Sequence, residues 1–241
     1  MSMPTTLLSR SIRRLSILSL VVLALIGGAF YLRLSRSSAE TPQSLVQGTF
    51  PDPAVNMPAS QAKGMQTAVL AGGCFWGVEA VFEHLNGVSD VVSGYAGGSA
   101  ETANYGLVSF GQTGHAESVR VTYDPAKISY GQLLKVYFAV AHDPTQVNRQ
   151  GPDAGKQYRS AIFYENDEQK QVAQAYIDQL NQAGTFRKSI ATQLAPLNGF
   201  YAAEADHQNF IDRNPNYPYV VIHDLPKLKQ LKEQFVALYK K

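Results

Sequence analysis

Two residue types are nearly absent: Cys74 is the only cysteine and Trp76 the only tryptophan in 241 residues. A single thiol excludes an intramolecular disulfide and any cysteine-rich zinc site. The histidines stand alone, without a second His or Cys at ligand spacing, so no metal centre is expected. No internal repeat is present. Acidic residues are missing from residues 1–38, which carry five arginines, so the formal net charge of +2 describes the remainder poorly. Residues 39–241 hold 16 basic against 19 acidic side chains. That balance offers no phosphate-tracking surface, and nucleic acid is not an expected partner. The length and the 45% hydrophobic content suit one or two globular domains.

Arg10, Arg13 and Arg14 precede an uncharged run of 18 residues, Leu15 to Leu32. Such a run is long enough to cross a bilayer core as a helix, whereas a cleaved signal peptide has a shorter apolar region. Ser37-Ser38-Ala39 could be cut, but Arg33 and Arg36 fit a cleavage site poorly. Residues 1–38 therefore read as a signal or anchor segment, better as an uncleaved anchor. The positive-inside rule then puts the bulk of the chain outside the cytoplasm, secreted if the segment is cleaved. Residues 39–64, rich in Pro, Gln, Ser and Ala, read as a linker. A folded domain is expected over 65–241.

Within it, hydrophobic periodicity predicts strand 66–71, helix 75–86, strand 88–95, strand 116–123, helix 129–140, strand 159–164, helix 167–182, strand 189–195 and a last helix over about 227–239. Asn166 suits the N-cap of helix 167–182, and Gly184 ends it. The order matches an α+β two-layer sandwich with a ferredoxin-like split β-α-β-β-α-β core, preceded by the N-terminal membrane-anchor or signal helix. Two long glycine-rich and polar loops, 96–115 and 141–158, are unexplained by packing. Loops of this length are often functional.

The stretch Ala71-Gly72-Gly73-Cys74-Phe75-Trp76-Gly77-Val78-Glu79 places Cys74 at a strand-to-helix turn. Unpaired N–H groups and the helix dipole there favour a thiolate. On residue types alone the ordinary reading of a lone cysteine beside aromatics is an inert core residue.

The string Gly73-Cys74-Phe75-Trp76-Gly77-Val78-Glu79-Ala80 resembles the active-site motif of the A-type peptide methionine sulfoxide reductases. Gly94-Tyr95-Ala96-Gly97-Gly98, Gly114-His115-Ala116-Glu117, and the run from His142 to Ser160 resemble further motifs of that family, as does Ala203-Glu204 with Asp206-His207-Gln208. Thr102-Ala103-Asn104-Tyr105 stands where the family usually has Asn-Pro-Thr-Tyr, and keeps only the tyrosine. The resemblance spans about 65–225. It implies thiol-dependent reduction of methionine S-sulfoxide, free or in proteins. By that resemblance Cys74 attacks the sulfoxide sulfur, Glu117 protonates the oxygen, and Tyr105 and Tyr158 hydrogen-bond it. Phe75 and Trp76 would form the methyl pocket, with Asp153, Glu204 and His207 as further substrate-binding residues. Otherwise Glu117, beginning an alternating strand, would read as a solvated face charge, and Tyr105 as a packing tyrosine.

The resolving cysteines that many members carry near the C-terminus are missing, where Asn214-Pro215-Asn216-Tyr217-Pro218-Tyr219-Val220 stands. A Cys74 sulfenic acid would then be recycled by an external thiol: thioredoxin, glutaredoxin, glutathione or a similar reductant. Tyr217 and Tyr219 stay outside the catalytic set because their register is unclear. No bound cofactor is expected, and the domain is expected to be a monomer. The rival readings are a one-cysteine thiol peroxidase and a non-catalytic binder of oxidised methionine.

Overall fold

Gln66–Gly72, strand β1, is buried on both faces from Ala68 onward, as a central strand must be. A computed structural model of the chain describes residues 50–57 and 64–240. Helix α1 (Phe75–Glu83), strand β2 (Val88–Ala96), short helix α2 (Tyr105–Val108) and strand β3 (Ala116–Tyr123) follow β1. Helix α3 (Tyr130–Val136) runs into a π-helical stretch, Tyr137–Ala141. A small hairpin of β4 (Arg149–Gln150) and β5 (Asp153–Ala154) precedes β6 (Ser160–Tyr164) and α4 (Asp167–Gln182). Strands β7 (Gln193–Pro196) and β8 (Phe200–Ala202), helix α5 (Phe210–Arg213), a π-helical stretch Val220–Asp224 and helix α6 (Leu225–Gln234) complete the chain.

The fold is mixed α/β. Six strands form one sheet in the order β7-β6-β1-β3-β2-β8. The four inner strands pair antiparallel throughout, β7 joins β6 in parallel, and β8 joins β2 antiparallel. One sheet face carries Leu70, Val119, Val121 and Ile162 into a large core with Val78, Phe82, Leu133, Tyr176 and Leu231 from the helices. The other face buries Val69, Ala71, Ala161 and Phe163 under Leu197 and Phe200.

Several expected boundaries shift for local reasons. Helix α1 ends at Glu83 rather than 86, because the chain must turn through Gly87 at φ +95°. The helix expected over 129–140 begins on a capping box, in which Ser129 accepts from the Gln132 N–H and the Gln132 side chain accepts from the Ser129 N–H. It then widens into the π stretch. The last helix starts earlier and ends at Gln234, with Pro226 in its first turn. Residues 50–57, expected to be linker, lie on the domain: the Tyr176 hydroxyl donates to the Pro51 carbonyl (2.6 Å), and Lys135 pairs with Asp52 (2.7 Å). Among the described residues no helix is long and apolar enough to cross a membrane. The Leu15–Leu32 run and the anchor or cleavage expected there lie outside the described residues.

Two glycines let the 142–158 loop close onto the end of β1. A Cβ at Gly72 would meet the His142 ring at 3.1 Å, and one at Gly73 would meet Gln150 at 2.5 Å. Gly73 also sits at φ +89°. Gln150 in turn exchanges hydrogen bonds with the Asp143 backbone, 3.0 Å from its N–H and 2.9 Å to its carbonyl. Gly73→Ala is expected to destabilise the fold by about 1–3 kcal/mol and to loosen this loop. Urea unfolding and amide exchange over 142–158 measure both effects.

Candidate active site

Cys74 stands at the N-cap of α1, half-buried, and lines a cavity of about 200 Å³. This is small beside the roughly 300–1,000 Å³ of drug-sized sites, and suits a single side chain. Phe75 and Trp76 form one wall, Tyr105 and Glu117 come from the β2–β3 side, and Asp153 and Tyr158 come from the 142–158 loop. Tyr217 and Tyr219 also line the cavity. Seven of the nine sequence-derived site residues are thus brought together. Glu204 and His207 are not among the lining residues and act from behind the wall. Glu204 accepts from the Tyr95 hydroxyl (2.8 Å) and the Tyr105 N–H (2.9 Å). His207 accepts from the Trp76 indole N–H (3.2 Å) and packs on the Tyr105 ring at 4.2 Å.

The tyrosines left outside the set, Tyr217 and Tyr219, prove to be lining residues. Tyr219 donates its hydroxyl hydrogen bond to Asp153. Both meet the Trp76 ring edge-on, at 6.3 and 6.1 Å, while Phe210 stacks flat on it at 3.6 Å. A run of aromatics after an Asn-Pro turn was the available signal, but no periodicity fixed its direction.

Glu117 is the decisive group. In β3 it shares parity with Val119, Val121 and Tyr123, so the alternation that could have solvated it turns it into the core face instead. Only 2% of it is exposed. Its Oε2 accepts the Phe75 N–H at 3.1 Å, one of the free N–H groups at the start of α1. Burial pushes the carboxyl up to about 8, with a smaller push from Asp153, against the lowering effect of the Phe75 hydrogen bond. Near pH 7 Glu117 is therefore mainly a protonated acid.

The helix-terminus expectation for Cys74 is corrected. Burial first, then the carboxyls of Glu117 and Asp224, raise the thiol well above its ordinary value. The Trp76 N–H bond and the Lys227 ammonium oppose them and lose. The resting residue is a thiol, because desolvation outweighs the local N–H field. Burial likewise raises Tyr105, Tyr158 and Tyr219, so the three phenols remain hydrogen-bond donors.

Comparison with known proteins decides what this assembly belongs to. The family profile described as peptide methionine sulfoxide reductase matches residues 66–238. The chain belongs to the peptide methionine sulfoxide reductase family. Peptide methionine sulfoxide reductase MsrA 2 of a Synechocystis species is 58% identical over 187 residues, covering 77% of this chain and 87% of that one. Its namesake from Mesorhizobium japonicum is 58% identical over 183 residues, covering 76% and 94%. Among solved structures, methionine sulfoxide reductase A of Corynebacterium diphtheriae is similar, with a TM-score of 0.55 and 34% identity over 73% of this chain and 87% of that one. These relatives place the reductase in the A type, and its activity is the reduction of methionine sulfoxide.

The reductase carries its acid at a stability cost with a definite pH dependence. Below about pH 4.5 Glu117 is neutral folded or unfolded, so its burial costs little. Between there and about pH 8 the unfolded chain releases the proton while the folded one keeps it, so stability falls as pH rises. Glu117→Gln is expected to remove the share of that decline due to Glu117, on the order of a few kcal/mol, in urea unfolding followed across this range, while Glu79, whose carboxyl burial raises to about 7, keeps its own. The same change should slow methionine formation roughly 10²–10⁴-fold, and wild-type activity should fall as pH passes about 8.

Proposed function

We propose that the reductase transfers the sulfoxide oxygen to Cys74 with Glu117 as the proton donor. The observation that supports this is the sharing of one small aromatic-walled cavity by the thiol and a carboxyl held protonated by burial. The substrate methyl group packs on Phe75 and Trp76. The sulfoxide oxygen faces Glu117 and the hydroxyls of Tyr105 and Tyr158, and Asp153 accepts from the methionine backbone N–H. Cys74 Sγ attacks the sulfur as Glu117 gives its proton to the oxygen, and the thiol proton replaces it on Glu117; the hydroxyl then passes from the methionine sulfur to Sγ as the sulfur–sulfur bond breaks. The methionine sulfur gains two electrons and Cys74 loses two, leaving a thioether and a Cys74 sulfenic acid. We read the S epimer as the substrate.

With no second cysteine in the chain, the sulfenic acid takes a thiol from outside, releasing water and forming a mixed disulfide. A second external thiol then frees Cys74. A thioredoxin- or glutaredoxin-type protein, or a small thiol such as glutathione, meets this need without a bound cofactor. The antiparallel order of the four inner strands supports the ferredoxin-like split β-α-β-β-α-β reading of the core. We further read residues 1–38 as an export or anchor segment that holds a monomeric domain outside the cytoplasm, on the sequence pattern described above.

A single-turnover assay of the full chain without reductant tests the scheme. About one methionine per chain should form from the S epimer, with Cys74 trapped as a sulfenic acid. Cys74→Ser should form none. Methionine produced by Cys74→Ser, or no sulfenic acid after turnover, would overturn the assignment.

A further inference from the structure

Two of the cavity tyrosines, Tyr105 and Tyr217, are also exposed at the surface. Among the described residues, seven of the eleven large apolar side chains open to solvent lie on the segments these tyrosines begin, 105–110 and 217–225. Scattered apolar exposure is ordinary, whereas its concentration beside a site marks a contact surface. The second segment is the more regular. The chain is helical without a break from residue 218 to 234, and the Val221 N–H donates to the Tyr217 carbonyl at 3.0 Å. Tyr217, Val221 and Leu225 therefore follow one another turn by turn along one face, with Ile222 beside them. The inner face is satisfied separately: Val220 is fully buried with Ala80 and Ile211, and Leu231 reaches the main core. Val221 stays 46% exposed and Ile222 61%, so this end of the helix is apolar on two sides and covered on one. Neither segment presents a carboxylate or an ammonium to solvent, because Asp224, the only acid on either, is buried.

We propose that the stripe of Tyr217, Val221 and Leu225, with Ile222, is a specificity surface that binds the apolar residues flanking the sulfoxide in a polypeptide substrate. The proposal rests on the cavity being the sulfoxide site. At about 200 Å³ the cavity admits one side chain, so the neighbours of an oxidised methionine must lie on its rim. Tyr217 joins the two surfaces. It lines the cavity and meets the Trp76 ring at 6.3 Å, while its carbonyl accepts the first hydrogen bond of the helix that carries the stripe. From Tyr217 to Leu225 that helix spans about 12 Å, the length of roughly three or four residues of extended chain. Apolar neighbours within that reach leave water against the stripe, whereas a charged one would be desolvated there without a counter-charge. Free methionine sulfoxide fills the cavity and gains nothing from the stripe. The favoured substrate is therefore an oxidised methionine set among apolar residues, the context that unfolding of a damaged core exposes.

The test is single-turnover methionine formation by the full chain without reductant, followed against substrate concentration. The probes are a peptide S-sulfoxide with leucines two and three positions away on either side, its serine counterpart, and free methionine S-sulfoxide. Wild type should use the leucine peptide about tenfold better than the serine peptide, through a lower half-saturating concentration rather than a faster maximum rate. Val221→Lys combined with Ile222→Lys should erase that advantage and leave the serine peptide and the free sulfoxide within about twofold of wild type. Val221→Ser with Ile222→Ser, which adds no charge, should lose most of the advantage and serves if the lysine variant folds poorly. No preference in wild type, or a preference that survives in the folded variants, would overturn the proposal. Unchanged single turnovers with slower recycling by thioredoxin would assign the stripe to the reductant and overturn it as well. No methionine from the free sulfoxide in wild type would instead refute the cavity as the sulfoxide site, and the proposal with it.

Discussion

One hydrogen bond joins the two halves of the chemistry: the Phe75 N–H, at the start of α1, donates to Glu117 at 3.1 Å. It fixes the carboxyl beside Cys74 and ties β3 to the helix that carries the nucleophile. A helix N-terminus ordinarily favours an ionised carboxylate, and this bond does lower Glu117. Burial to 2% exposure is the larger effect and keeps the proton on. The same desolvation keeps Cys74 protonated, so the resting site holds a neutral acid beside a neutral thiol. A neutral pair is compatible with a half-buried cavity, whereas a thiolate next to a carboxylate would be strongly disfavoured there.

The cavity walls are held by one another, through Tyr219 on Asp153 and the Phe75 N–H on Glu117, and also from behind. Glu204 ties Tyr95 and Tyr105, and His207 and Phe210 brace Trp76 on its edge and face. Arg159 donates to the carbonyls of Gly114, His115 and Lys156, joining the loop that leads into β3 to the turn that carries Tyr158. Positions on two long loops thereby acquire the rigidity that orientation of a small substrate requires. Glu204 and His207 matter to this site through the rings they hold.

Elements with a full period were legible in the sequence. Helix α4 matches its expected span because Asn166 caps it, accepting from the Gln169 N–H, and Gly184 ends it at φ +61°. The cluster of Cys74, Phe75, Trp76, Tyr105, Glu117, Asp153 and Tyr158 was legible through motif resemblance. The inward direction of Glu117 could also have been read from its parity with Val119 and Val121. Strands β4, β5 and β8 and helix α5 span two to four residues each, too few to show any period. Tyr217 lies in the turn after α5 and Tyr219 at the helical start of the stretch Val220–Asp224, too short a segment to show a period. The ionisation of Cys74 was misread for a related reason. A helix-terminus argument counts neighbouring N–H groups, but not burial by the rest of the fold or a carboxylate arriving from residue 224.

The account stands on Glu117 holding its proton at neutral pH, which carbon-13 NMR of glutamate side-chain carboxyls can observe directly in the folded chain. The Glu117 resonance should titrate with a midpoint near 8. A midpoint near the ordinary value of about 4.5 would leave the site without its acid and contradict the account.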